Sequence, residues 1–178
     1  MPSTIEAIKY ILGLLTPIAQ AVVVISLFLA IVSKSARGKI LEIISSRANL
    51  FAFVVALTAT LGSLFYSEIA HYDPCKLCWL QRIFMYPQAI LFGIALWKRS
   101  NIRAYSIALS GVGAVIAGYH YLLQRGIAPS LACSSVGYSV SCAKIFVMNF
   151  GYITIPLMAF TAFALIIITQ AFGSGDKK

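Results

Sequence analysis

Two cysteines three residues apart carry the most reactive chemistry in this sequence. Cys75 and Cys78 lie in the string CKLCWLQR, between two long apolar segments. A Cys-x-x-Cys pair at the start of a helix can alternate between dithiol and disulfide, because its sulfurs can meet and the helix N-terminus favours a thiolate. Cys78, in the first helical turn, is the expected site of that anion. The motif predicts redox chemistry at a membrane surface.

Two polar residues follow Cys78 at the spacing of one helical turn. Gln81 and Arg82 are three and four positions on, so both are expected on the helical face that carries Cys78. A guanidinium keeps its charge, and Arg82 could therefore support a sulfur anion or donate a hydrogen bond to a carbonyl. The alternative is a static disulfide beside an arginine that only extends to the membrane interface.

A second cysteine pair, Cys133 and Cys142, lies in a loop near the other end of the chain. Eight residues separate the two cysteines, enough to close a disulfide without straining a helix. Such a pair is usually structural, but beside a Cys-x-x-Cys it can also pass oxidising equivalents to that motif. Structural zinc sites usually use two closely spaced pairs, so we expect no metal here.

His120 is a further candidate, because it lies near the end of an apolar segment. Ionisable residues inside membrane spans are functional candidates by default. A lone histidine near the interface can equally be a simple hydrogen-bonding residue, and the sequence favours neither interpretation.

The elements that position these residues follow from composition. The chain has 178 residues, of which 60% are hydrophobic and 11% charged, which excludes an ordinary soluble domain. It contains five apolar segments, each close to the ~20 residues that a helix needs to cross a membrane. They are Tyr10–Val32, Leu50–Ala70, Trp79–Trp97, Ile102–Leu123 and Tyr152–Phe172. The expected fold is an all-α, polytopic membrane helix bundle.

The net charge of +9 reflects membrane topology and does not indicate a nucleic-acid partner. Most basic residues lie in alternate loops and in the tail, which the positive-inside rule places in the cytoplasm. These residues are Lys34, Arg37, Lys39, Arg47, Lys98, Arg99, Arg103, Lys177 and Lys178. The N-terminus and all four cysteines are then extracytoplasmic and the C-terminus cytoplasmic. The first apolar segment is expected to be retained, because its basic cluster follows the apolar core instead of preceding it.

The string CKLCWLQR, preceded by HYDP and followed by IFMYP, resembles the DsbB/BdbC family of membrane disulfide bond formation proteins. HYLLQ, from His120 to Gln124, resembles that family's histidine-containing segment. The resemblance covers about Leu50 to Phe172. It implies a four-helix oxidase core at residues 48–173, preceded by an extra transmembrane helix and basic loop at 1–47 and followed by a tail at 174–178. The short Cys133 to Cys142 spacing is closer to the BdbC branch.

The resemblance also implies an electron relay in the cell membrane (the inner membrane) of a prokaryote. A DsbA/BdbD-like thioredoxin-fold partner would be reoxidised at Cys133 and Cys142, and the electrons would pass to Cys75 and Cys78. Cys78 would lie nearest a membrane quinone, either ubiquinone or menaquinone. Arg82, Gln81 and His120 are the expected quinone-binding residues.

Two other functions are compatible with the same pattern. A quinone-coupled thiol enzyme of the vitamin K epoxide reductase type also joins loop cysteines to a quinone, although its quinone-facing pair lies late in the bundle. A non-enzymatic membrane protein with two structural disulfides is the second alternative. Thiol trapping separates these classes, because purely structural disulfides stay oxidised when quinone is depleted.

Overall fold

The fold is a bundle of five helices, seen in a computed structural model that describes residues 2–32, 38, 47–129 and 141–173. The helices are α1 (Pro2–Val32), α2 (Ala48–Leu64), α3 (Lys76–Lys98), α4 (Arg103–Gln124) and α5 (Ile155–Phe172), and a π-helical turn, Phe65–Ile69, extends α2. The predicted helical membrane bundle is confirmed. The first helix begins eight residues earlier than expected, because Ile5 and Ile8 pack against the buried Phe65 and Tyr66.

Four of these helices are long and apolar enough to cross a membrane, within the described residues: α1, α2 with its π-helical turn, α4 and α5. The remaining helix, α3, has 23 residues, so its length of about 34 Å suffices as well. It contains polar residues in its interior, and two of them, Gln81 and Gln88, are buried inside the bundle. Because α3 buries these polar side chains against neighbouring helices, its sequence is less apolar than that of a span that faces lipid.

Helices α2 to α5 pack in a closed ring, and α1 lies outside it against α5. The ring encloses one buried cluster made of small and aromatic side chains. Its members are Ala52, Ala56, Met85, Ala89, Phe92, Ala117, Phe163 and Ile166. Gly113 allows a close approach of α4 and α5, since a Cβ there would lie 2.3 Å from the ring of Phe163. Small side chains on α4 thus form a packing face against α5.

Buried polar side chains connect the helices inside the apolar bundle. Gln88 on α3 accepts hydrogen bonds from Ser106 Oγ (2.9 Å) and Ser110 Oγ (3.0 Å) on α4. Its own Nε2 donates to the carbonyl of Phe84 at 2.8 Å. Every polar atom of this amide therefore has a partner, which is the condition for burying it in a medium without water.

The two ends of the bundle differ in chemistry. At one end Arg103 donates to the carbonyls of Gly173 (3.2 Å) and Ala171 (2.6 Å), capping the C-terminus of α5 with positive charge. At the other end lie Cys75, His120 and Cys142, all buried. The chain thus gathers the redox-capable residues at the end opposite to Arg103.

Candidate functional site

The Cys-x-x-Cys motif forms the beginning of α3. Cys75 is the N-cap residue, with an extended backbone (φ −72°, ψ 173°), and its carbonyl accepts from the N–H of Trp79 at 3.1 Å. This turn brings the two sulfurs to 3.3 Å, as free thiols. Cys75 is buried and Cys78 is partly exposed, so the two sulfurs face different surroundings.

The surrounding hydrogen bonds favour the thiolate at Cys75, whereas the sequence favoured Cys78. The pKa of Cys75 is lowered from 9.0 to about 4, chiefly by its hydrogen bond with the Cys78 thiol. A hydrogen bond from His120 lowers this pKa further, while burial opposes the shift. A thiolate is stabilised by the hydrogen-bond donors around it. The N-cap residue Cys75 is therefore the favoured anion, and Cys78 is the donor.

His120 joins the two cysteine segments. Its Nε2 lies 3.7 Å from Cys75 Sγ and 3.1 Å from the carbonyl oxygen of Cys142. A carbonyl only accepts, so Nε2 carries the proton, and Nδ1 then accepts from Gln81 Nε2 at 2.9 Å. Gln81 thereby orients the imidazole, with its Nε2–H directed at both the Cys75 sulfur and the Cys142 backbone.

The second pair is described only in part. Cys142 is buried and disulfide-bonded, and it shares a buried cluster with Cys75, Leu77 and Leu123. Cys133 lies outside the described residues. A small cavity of about 20 Å³ separates Cys75 and His120 from Ser141 of the Cys142 segment. The segment that carries the second pair is therefore adjacent to the first pair.

Arg82 is held mainly by α2. Its Nε donates to Ser63 Oγ at 3.0 Å and its Nη2 to the Ser63 carbonyl at 3.2 Å. Its guanidinium also lies 5.1 Å from the Trp79 ring centroid, in cation–π contact. Sequence reasoning missed Ser63, because nothing in the local sequence connects a serine of one span with an arginine of the next.

Beside these residues lies an elongated cavity of about 320 Å³. Cys78, Gln81, Arg82, Ser63 and Asp73 contribute polar groups to its lining, and most of its surface is apolar. His120 is absent from the described lining of this cavity and borders the small one near Cys75. Of the three expected quinone-binding residues, Gln81 and Arg82 therefore reach the large cavity.

A soft metal ion is a conceivable alternative occupant of the thiol site. One potential ligand atom from each of Cys75, Cys78 and His120 lies within 4.8 Å of the others. However, the Nε2 proton of His120 is directed at Cys142, so a metal would have to displace it. A metal bound there would also hold both thiolates and block their oxidation.

Comparison with known proteins identifies the family. Residues 45–173 match the family model described as "Disulfide bond formation protein DsbB". The chain belongs to the DsbB family. It is 46% identical over 129 residues to the SPbeta prophage-derived disulfide bond formation protein B of Bacillus subtilis (strain 168), covering 72% of this chain and 82% of that protein.

The chain also resembles disulfide bond formation protein C of the same organism. The identity is 42% over 129 residues, which cover 71% of this chain and 91% of the relative. A probable disulfide formation protein of Deinococcus radiodurans is 39% identical over 125 residues, 65% of this chain and 81% of the relative. No solved structure matches. The resemblance inferred from CKLCWLQR, including the branch of the C-type proteins, is confirmed.

Family membership and the helical bundle together establish the general role. The protein is a multi-pass membrane protein of disulfide bond formation, with a disulfide oxidoreductase role. The match begins at residue 45, so α1 lies entirely before it.

Proposed function

We propose that the protein oxidises a thioredoxin-fold dithiol partner of the DsbA/BdbD type and passes the electrons to a membrane quinone. One observation carries this proposal: the Cys75–Cys78 pair lies between two different environments. Cys75 shares a buried cluster with Cys142, which Cys78 also contacts, and Cys78 in addition lines the large, mostly apolar cavity. A dithiol in that position can receive electrons on one side and release them on the other.

The relay consists of balanced two-electron steps. A partner thiolate attacks the Cys133–Cys142 disulfide, and its second thiol resolves the mixed disulfide, leaving the partner oxidised and this pair reduced. The reduced second pair then attacks the Cys75–Cys78 disulfide in the same way. Finally the Cys75–Cys78 dithiol gives two electrons and two protons to the quinone, which becomes quinol, and the disulfide re-forms.

His120 assists the step between the two pairs. Its N–H can stabilise negative charge on Cys75 while the same atom holds the Cys142 backbone nearby. The hydrogen bond from His120 lowers the pKa of Cys75, and a leaving thiolate of lowered pKa departs faster, so this contact favours exchange at this pair. In this proposal His120 positions the cysteines and does not touch the quinone.

Arg82, on the side of the site that borders the large cavity, would bind the quinone. Two of the guanidinium nitrogens bond to Ser63, and no hydrogen bond among the described residues uses Nη1. That N–H is available to a quinone carbonyl in the cavity that Cys78 also lines. Polarising the carbonyl where negative charge develops would promote electron transfer from the thiolate.

We further propose that the cysteine end of the bundle is extracytoplasmic in a prokaryotic cell membrane. Arg47, Lys98 and Arg99 lie at the same end as Arg103, and the positive-inside rule assigns such a basic end to the cytoplasm. Disulfides persist on the opposite side, where the partner's substrates would be found.

The test is quinone reduction by the purified protein with a reduced thioredoxin-fold dithiol protein. Wild-type protein is expected to convert quinone to quinol in a one-to-one ratio with partner disulfide, followed by ultraviolet absorbance and thiol trapping. Cys78→Ser should lower the rate at least about a thousandfold, because the dithiol can no longer close to a disulfide. Lys76→Gln, between the two cysteines, is the matched control and should retain activity. Full activity in Cys78→Ser would refute the proposal.

A further inference from the structure

The first helix lies outside the family match but forms part of the large cavity. Leu12, Leu15, Thr16 and Ala19 of α1 line it, at positions that repeat as one helical face. The remaining described lining comes from α2, the segment from Tyr66 to Pro74, α3, Phe146 and α5. Without α1, this side of the cavity would open towards lipid.

Specific polar contacts hold α1 in one register. Gln20 Nε2 donates to Thr161 Oγ1 on α5 at 3.0 Å, and Tyr152 OH donates to Gln20 Oε1 at 3.4 Å. Asn149 Nδ2 donates to the carbonyl of Lys9 at 3.3 Å. A glutamine in a membrane span is costly unless its amide is bonded, so these contacts select a single docking geometry for α1.

Gly13 allows part of this docking. A Cβ at that position would lie 1.8 Å from Asn149 Nδ2, so a larger residue would displace the Asn149 side chain that bonds to the Lys9 carbonyl. Because Gly13 has no side chain, α1 can lie close to the core. Its Leu12 also comes within contact distance of Gly62 on α2.

The cavity combines polar groups with hydrocarbon. Cys78, Gln81 and Arg82 contribute polar groups, whereas Leu12, Leu15 and Ala19 present hydrocarbon. Thr16 adds no free polar group, because its Oγ1 donates to the Leu12 carbonyl at 3.4 Å. On α5 the lining extends from Ile155 to Leu165, which corresponds to about 15 Å of helix. This shape suits an aromatic head followed by an apolar tail.

We propose that α1 forms the wall of the quinone site that contacts the prenyl tail, and so sets affinity for tailed quinones. This inference rests on the proposed quinone function. The quinone head would occupy the end near Cys78 and Arg82, and the first part of the tail would lie against Leu15 and Ala19. The extra helix is then a specificity element for the lipid-soluble electron acceptor.

The test compares two alanines on opposite faces of α1 in the full-length protein. Ala19 lines the cavity, whereas Ala21 is exposed on the outer face. Ala19→Phe should raise the KM for a quinone with a prenyl tail about tenfold or more, because the ring would fill space that the tail needs. Its KM for a tail-less naphthoquinone should change less than about twofold, and Ala21→Phe should leave both KM values unchanged.

Two outcomes would overturn the inference: equal effects of Ala19→Phe and Ala21→Phe, or an equal KM rise for tailed and tail-less quinones. The proposed function is judged separately, by whether wild-type protein reduces the tail-less quinone at all. A second measurement needs no variant. A tailed quinone with a photoreactive diazirine on its first prenyl unit should label the α1 peptide that contains Leu15 and Ala19. Labelling confined to α2 and α5 would exclude the proposed wall.

Discussion

The ionisation of Cys75 is the sharpest test of the thiol geometry. Its pKa of about 4 depends first on the hydrogen bond from Cys78, across 3.3 Å. Cys78→Ala removes that hydrogen bond while burial remains, so the pKa of Cys75 should rise towards its ordinary value of 9.0. Cys78→Ser is the matched control, because its hydroxyl can still donate, and it should retain part of the lowering.

The size of the difference in Cys75 pKa determines which assay is informative. At pH 6 a thiol with a pKa of about 4 is about 99% ionised and one with a pKa of about 9 only about 0.1%. However, the intrinsic nucleophilicity of the thiolate rises by about two powers of ten across those five units. The two effects nearly cancel, so alkylation rates at pH 6 should differ by less than about tenfold. The pH midpoint of the rate is therefore the useful quantity.

The experiment follows alkylation of Cys75 by a small reagent from pH 3 to pH 10, on reduced protein that carries Cys133→Ser and Cys142→Ser. Because the pKa is lowered, the thiolate should persist at neutral pH and disappear only as pH falls through about 4. Mass spectrometry of the peptide isolates this sulfur. A wild-type midpoint near 9, or the same midpoint in Cys78→Ala, would refute the assignment of the anion to Cys75.

Two further predictions concern packing and the arginine. Gly113→Ala should lower the free energy of unfolding by about 1–3 kcal/mol, because its Cβ would overlap the buried ring of Phe163. Gly111→Ala, with open space around its Cβ, is the control and should be neutral or stabilising. Thermal unfolding in detergent micelles measures both variants, and equal melting shifts would contradict the packing argument. Ser63→Ala removes the hydroxyl that accepts from Arg82 Nε and should raise the KM for quinone several-fold with little change in partner oxidation. An unchanged KM would show that Arg82 does not need the Ser63 hydroxyl.

Much of the fold follows from sequence because helices in a membrane are chosen by local chemistry. Each apolar segment must satisfy its own backbone hydrogen bonds, so segment length and hydropathy locate the spans within a few residues. The start of α1 is the main difference, since Ile5 and Ile8 are stabilised by contacts with the distant Phe65 and Tyr66. No local pattern encodes those contacts.

The sequence by itself determined the reactive groups and the family: the Cys-x-x-Cys motif, its position at a helix start, and the resemblance carried by CKLCWLQR. Only the tertiary structure decided how those groups divide their work. It assigns the anion to Cys75, directs His120 at Cys142, bonds Arg82 to Ser63 and brings α1 to the cavity. The physical reason is range: helix formation and thiol spacing depend on neighbours within one turn, whereas hydrogen-bond partners and cavity walls come from helices far apart in the chain.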